Sequence, residues 1–156
     1  MLEDEERGND SREELKRADH LIYVSLKYTR TGDVILSVIT RLMNAIELTM
    51  DEMLKWFEAK KKLKQVDYSK PYRIKVEWIR NKLKKDKAVN DMLDFYLFML
   101  RIMKGEHDAK DEFRKGLRLI SIDDKGGLIA EVNMDDVKEY YKRTEKFIER
   151  VEEIIK

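Results

Sequence analysis

The chain has 156 residues, 42% apolar and 42% charged, with two His and no Cys. That length suits one domain with a real core, and the apolar share argues against disorder. The lack of Cys excludes disulfides, thiolate metal sites and a cysteine nucleophile, while Lys/Glu-rich charge with a single Gln fits a heat-adapted (thermophile) source.

Residues 1–10 (MLEDEERGND) read as a flexible acidic N-terminus without the apolar core of a signal peptide, so a cytoplasmic location is expected. Residues 11–156 read as a single helical domain. Ser11, followed by Glu13 and Glu14, suits a helix start, because a short acceptor caps free N–H groups and acids complement the positive end. That helix is expected to run to about Thr29, with Leu15, Ala18, Ile22 and Leu26 on one stripe. Gly32 ends it and Asp33 caps a second helix from Val34 to about Gln65. There Ile35, Ile39, Leu42, Ile46, Met50, Met53 and Phe57 hold a three-to-four spacing, and the segment after Phe57 projects into solvent. Ser69, Lys70 and Pro71 open a third helix to about Lys84 that buries Tyr72, Val76, Ile79 and Leu83.

Val89 to Met103 holds the densest apolar block in the chain. A helix apolar almost all round must be covered on most sides, and this one is too short for a bilayer, which takes about 20 apolar residues. It is expected to be the central helix, with Gly105 just beyond its last strongly apolar residue. LRLISI (117–122) and LIAEVN (128–133) alternate around DDKGG and predict a β-hairpin, whose apolar face lies on the helices or pairs with another subunit. Asn133, Asp135 and Asp136 then start the last helix, with Val137, Phe147, Val151 and Ile154 on its stripe. The fold class is mainly α: a four- to five-helix up-and-down bundle with one β-hairpin inserted before the C-terminal helix.

No glycine-rich phosphate loop, GxSxG, HExxH or paired-carboxylate pattern occurs. Two His without Cys do not suggest zinc, and no metal or cofactor is expected. The eight Met sit on helical stripes and read as core filler. Charge is unevenly placed: residues 55–87 hold 13 Lys/Arg against 4 Asp/Glu, in a chain whose net charge is +1. Such asymmetry permits a nucleic-acid contact, with Lys60, Lys62, Arg80 and Lys84 as candidates. The competing reading is a solvated, salt-bridged surface.

Arg101 and His107, in RIMKGEH, are the candidate catalytic pair. An Arg closing an apolar helix needs a carboxylate or phosphate partner. A His titrating near neutrality can move a proton in RNA cleavage, and a fixed guanidinium can hold the scissile phosphate without any metal. A six-residue step leaves the two about 120° apart on an ideal helix, so they converge only if the helix ends or distorts near Gly105. The competing reading pairs Arg101 with an acid and leaves His107 a solvated loop residue.

Arg101-to-His107 spacing and the helical plan resemble the HEPN superfamily, small all-helical prokaryotic proteins that often carry Arg, four to six residues, then His late in a helix. The resemblance implies a homodimer with both motifs facing one groove. It also implies metal-independent RNA cleavage in catalytic members, binding alone in others, and in some a nucleotidyltransferase partner protein as toxin and antitoxin. The expected function is therefore a HEPN-like ribonuclease or RNA-binding toxin-type module. The alternative is a non-catalytic binding or adaptor protein using the basic surface 55–87 or its helices. Arg17 and His20, one helical turn apart, could join such a groove or form a surface charge cluster. Asp94 is expected to partner an Arg from another helix, with Arg30 or Arg41 suitable.

Overall fold

The computed structural model describes residues 10–156. The acidic segment expected over residues 1–10 lies outside these, Asp10 excepted. Short polar side chains set where most helices begin. The Asp10 carboxylate accepts the Glu13 N–H at 2.8 Å and caps α1 (Ser11–His20), so the expected cap Ser11 is instead its buried first residue. α1 runs on through a π-helical turn (Leu21–Ser25) into α2 (Leu26–Tyr28), a widening that the apolar spacing did not announce. Thr31 caps α3 (Gly32–Ala59), and α4 (Tyr72–Lys82) starts just after Pro71. Asp86 caps α5 (Lys87–Lys104). A reciprocal capping box between Asn133 and Asp136 starts α6 (Met134–Ile154).

α3 ends six residues before the expected Gln65. Lys61 adopts a left-handed φ of 57°, and the N–H groups of Lys62 and Leu63 donate to the Phe57 carbonyl, turning the chain back. Glu58 then accepts the Val66 N–H and the Tyr68 hydroxyl, so the loop folds along the helix end instead of extending it into solvent. These bonds hold the Glu58 carboxyl below its usual range, the Tyr68 hydroxyl being the larger cause.

The central helix is α3, not α5 as expected. α3 touches α1, α4, α5 and α6 as well as the sheet. α5 turns Val89, Met92, Leu93, Phe95, Tyr96, Met99 and Ile102 inward, but leaves Leu97, Phe98 and Leu100 half-buried and Arg101 exposed. The inversion has a physical cause. Asn44, Glu47 and Thr49 interrupt the apolar pattern of α3, yet all three are buried, with the Tyr96 hydroxyl donating to Glu47 at 2.7 Å and Thr49 to the Ala45 carbonyl. Buried polar groups satisfied by hydrogen bonds are invisible to a hydrophobicity pattern.

The sheet has three antiparallel strands in the order β1 (Glu106–Lys110), β2 (Arg118–Ile122), β3 (Leu128–Asn133). β2 and β3 are the expected hairpin, closed at Gly126 with φ 81°. β1 was not anticipated, because EHDAK carries no apolar alternation; it is an edge strand shielded by charge. The face with Leu117, Leu119, Ala130 and Val132 is buried on the helices. No helix among the described residues is long and apolar enough to cross a membrane.

Asp86 joins two ends of the bundle, since Arg150 of α6 donates to it from Nη2 at 2.7 Å and Nε at 3.1 Å. Burial alone would raise its pKa, but the bonds from Arg150 and from the Val89 and Ala88 N–H groups outweigh that and hold it low. A depressed carboxyl stabilises the fold above the unfolded value of about 3.9 and loses that contribution as pH falls through the folded value. Acid unfolding of wild type below about pH 4 should therefore carry an Asp86 component. At neutral pH, Asp86→Ala should cost about 1 kcal/mol or more as a lost cap, read by denaturant titration. A variant as stable as wild type at both pH values would contradict this.

Candidate nucleic-acid interface

The basic residues of 55–87 do not form one uniform surface. Lys75 is internal, 1% exposed, with Nζ 2.9 Å from Asp51. Arg80 donates to Asp94 at 2.8 Å and lies 3.9 Å from Glu77, so this candidate's charge is already answered. Asp94 thus finds an Arg from another helix, but it is Arg80, whereas Arg41 binds Glu14. Lys87 pairs with Asp91 at 2.7 Å.

Six of the remaining lysines make no ion pair among the described residues: Lys60, Lys62 and Lys64 on the α3–α4 loop and Lys82, Lys84 and Lys85 at the α4–α5 turn. Lys60 and Lys62 hold their ammonium groups 6.0 and 5.2 Å from the Trp56 ring centre. Trp78, half-buried on α4, borders a depression of about 290 Å3 with Leu63, Lys64 and Gln65, which places the returning loop beside α4. One turn further along α4, Lys82 enters a shallow depression of about 750 Å3 shared with Lys84, Lys85 and Lys87 and bordered by the Asp86–Arg150 pair. Trp56 thus has Lys60 and Lys62 beside it, while Trp78 borders Lys64 and stands one helical turn from Lys82. The sequence carried a signal of this: Trp56 and Lys60, like Trp78 and Lys82, are four residues apart, one helical turn. Lys82, Lys85 and both indoles were not among the expected contact residues.

Arg101 and His107 lie at a different corner, on either side of the α5 end. α5 ends at Gly105, whose N–H donates to the carbonyls of Arg101 and Ile102. The chain then reverses into β1, and the His107 Nε2 comes 2.7 Å from the Ile102 carbonyl oxygen, which also accepts the Ser121 hydroxyl at 2.7 Å. A carbonyl only accepts, so Nε2 carries the proton of this contact and Nδ1 is the ring nitrogen it leaves free. The imidazole is thus seated against the last turn of α5, on the carbonyl of the residue that follows Arg101. Arg101 is exposed and has no ion pair among the described residues. The same contact serves as a cap on the α5 C-terminus. Neither residue lines the depressions described above.

Arg17 and His20 belong to a third cluster. Arg17 lies 3.1 Å from Glu13 and 3.8 Å from Glu14, and Arg41 binds the fully buried Glu14 at 3.2 Å, an arrangement that joins α1 to α3. His20 is exposed at its edge. No group of three or more His, Asp or Glu side chains poised for a metal ion occurs among the described residues. Compared with protein-family models, with characterised proteins and with solved structures, the chain matches none.

Proposed function

We propose that the protein is a HEPN-like helical module that binds single-stranded RNA along the lysine and indole face formed by the α3–α4 loop and the α4–α5 turn. The observation that carries this reading is the set of exposed lysines that make no ion pair among the described residues, some of them near Trp56 and Trp78. Ammonium groups track a phosphate backbone and indoles stack unpaired bases, the combination used for single strands. RNA rather than DNA, a homodimer and a nucleotidyltransferase partner come from the family resemblance and belong to the same proposal. Joint replacement Lys82→Ala, Lys84→Ala, Lys85→Ala should weaken binding of a single-stranded oligoribonucleotide by at least about 10-fold at low salt, read by fluorescence anisotropy. Unchanged affinity in a folded triple variant rejects this face.

A second reading, metal-independent RNA cleavage, is favoured by one specific observation: His107 is fixed through Nε2 on the Ile102 carbonyl, leaving Nδ1 free, while the preceding residue, Arg101, is exposed and makes no ion pair among the described residues. Arg101 would hold the phosphate and His107 Nδ1 would take the proton of the ribose 2′-hydroxyl as its oxygen bonds to phosphorus and the P–O5′ bond breaks, the leaving 5′-oxygen taking a proton from water; a second copy of the chain would close the groove. Incubation with RNA and a chelator should then give cleavage that falls about 100-fold or more in His107→Ala. Undiminished cleavage by that variant, or none by wild type, ends this reading.

A further inference from the structure

The π-helical turn opens a cavity that neither proposed site uses. It lies between that turn and the first turn of α6, has a volume of about 210 Å3, and is lined by Tyr23, Lys27, Arg30, Met134, Asp135 and Lys138 among others. Three cations thus face one acid. None of these four ionisable side chains makes an ion pair among the described residues. The Arg30 Nε is buried and has no hydrogen-bond partner there. An arginine with no carboxylate partner, lining a cavity with two lysines, favours an anion whose oxygens accept from its guanidinium. The Arg30 backbone is pinned, because its carbonyl accepts the Phe113 N–H at 2.6 Å from a loop whose Asp111 and Phe113 hold left-handed φ values of 56° and 66°. Such conformations in non-glycine residues persist only where the surroundings enforce them, so the guanidinium starts from a fixed base.

The extra residue of a π-turn rotates the side chains that follow, a distortion often found at binding sites. Here it accompanies a Tyr23 ring that is 54% exposed at the cavity edge, with the Lys138 ammonium 6.0 Å from its centre. The cavity is smaller than the roughly 300–1,000 Å3 that takes a drug-sized ligand, so a phosphate and its sugar fit inside while a flat base lies outside on the ring. We infer that this cavity is a nucleotide-phosphate site, in which Arg30, Lys27 and Lys138 hold the phosphate and Tyr23 stacks the base. The ligand is a free mononucleotide or the terminal phosphorylated nucleotide of an RNA. The site shares no residue with the lysine face or with Arg101 and His107, so it stands or falls separately from them.

The test is calorimetric titration of the whole protein at low salt with inorganic phosphate, a nucleoside 5′-monophosphate and the unphosphorylated nucleoside. The monophosphate should bind most tightly, phosphate more weakly, and the nucleoside not measurably. Arg30→Met should weaken the monophosphate about 10-fold or more, while Tyr23→Ala should weaken the monophosphate and spare phosphate. Short oligoribonucleotides with and without a 5′-phosphate identify the source. A phosphorylated oligomer that competes better than the mononucleotide points to an RNA end, and the reverse points to the free nucleotide. The Lys82/Lys84/Lys85 triple alanine variant should bind the mononucleotide like wild type. No binding of phosphate or monophosphate, binding of the nucleoside as tight as that of its phosphate, or equal affinity in Arg30→Met overturns the proposal, as does loss of mononucleotide binding in the lysine triple variant. If Arg30→Met fails to fold, Lys27→Ala with Lys138→Ala, both at exposed positions, carries the same comparison with the same expected loss.

Discussion

Lys75→Ala should lower stability by about 3–5 kcal/mol, among the larger effects available to a single replacement in this chain. The ammonium is 2.9 Å from Asp51, whose other oxygen accepts the Tyr72 hydroxyl at 2.7 Å. It also sits 4.1 Å from the Tyr72 ring centre and 5.5 Å from that of Tyr68. Truncation removes the stem from a closed space, deletes two cation–ring contacts and strips Asp51 of its counter-charge while the carboxylate stays 21% exposed. The melting temperature should fall by roughly 10 °C. Lys75→Met keeps the stem and should lose less. Lys75→Met with Asp51→Leu should recover much of the loss, because a buried pair replaced by apolar groups of similar size is often neutral. Thermal and denaturant unfolding read all three. A Lys75→Ala variant within about 0.5 kcal/mol of wild type would mean that this lysine behaves as a surface residue.

Gly105→Ala should cost about 1–3 kcal/mol, although its backbone (φ −73°, ψ 172°) suits any residue. The constraint is space. A Cβ there would lie 2.3 Å from the Ser121 hydroxyl oxygen, 2.9 Å from the Ile122 carbonyl oxygen and 2.9 Å from Ile129 Cδ1. The hydroxyl could rotate only by leaving the Ile102 carbonyl, and the Ile122 carbonyl is backbone. The sheet must therefore shift away from the end of α5, carrying His107 with it. Imidazole resonances of His107 should move in the same variant. Gly116→Ala is the control, since the nearest atom to its added Cβ is 3.6 Å away and stability should stay within about 0.5 kcal/mol of wild type. Equal stability of the two variants would show that the joint between α5 and the sheet has slack.

Where caps and apolar stripes coincide, the helices were legible. Asn133 with Asp136 marks the start of α6, and the apolar block Val89 to Met103 marks α5 to within two residues at each end. Three kinds of feature were not legible. β1 pairs an apolar-poor segment with β2, a long-range choice that its own residues do not encode. The depth of α3 depends on buried polar residues, of which Glu47 finds its partner, Tyr96, on another helix. The π-turn leaves the apolar spacing of Ile22 and Leu26 unchanged, so no stripe reveals it.

The candidate residues divide along the same line. Arg80 looked like a surface cation until the packing of α4 on α5 brought Asp94 to it. Lys75 was one lysine among many, and only the fold of the α3–α4 loop, which brings Tyr68 over it, makes it internal. Lys60, Lys62 and Lys84 keep their exposed charge, with Trp56 near the first two and Lys82 and Lys85 near the third. Arg101 and His107 needed a helix end between them, and Gly105 provides it with a strand reversal that spacing alone did not specify.

The salt dependence of RNA affinity tests the lysine face most directly. A single-stranded oligoribonucleotide is titrated between about 50 and 200 mM monovalent salt with wild type and with the Lys82/Lys84/Lys85 triple alanine variant. Counterion release predicts that log K falls linearly with log salt, and that the triple variant loses about 2 from the magnitude of that slope, roughly 0.7 for each phosphate contact removed. A flat wild-type response, or the same slope in both proteins, would contradict the assignment of this face to nucleic acid.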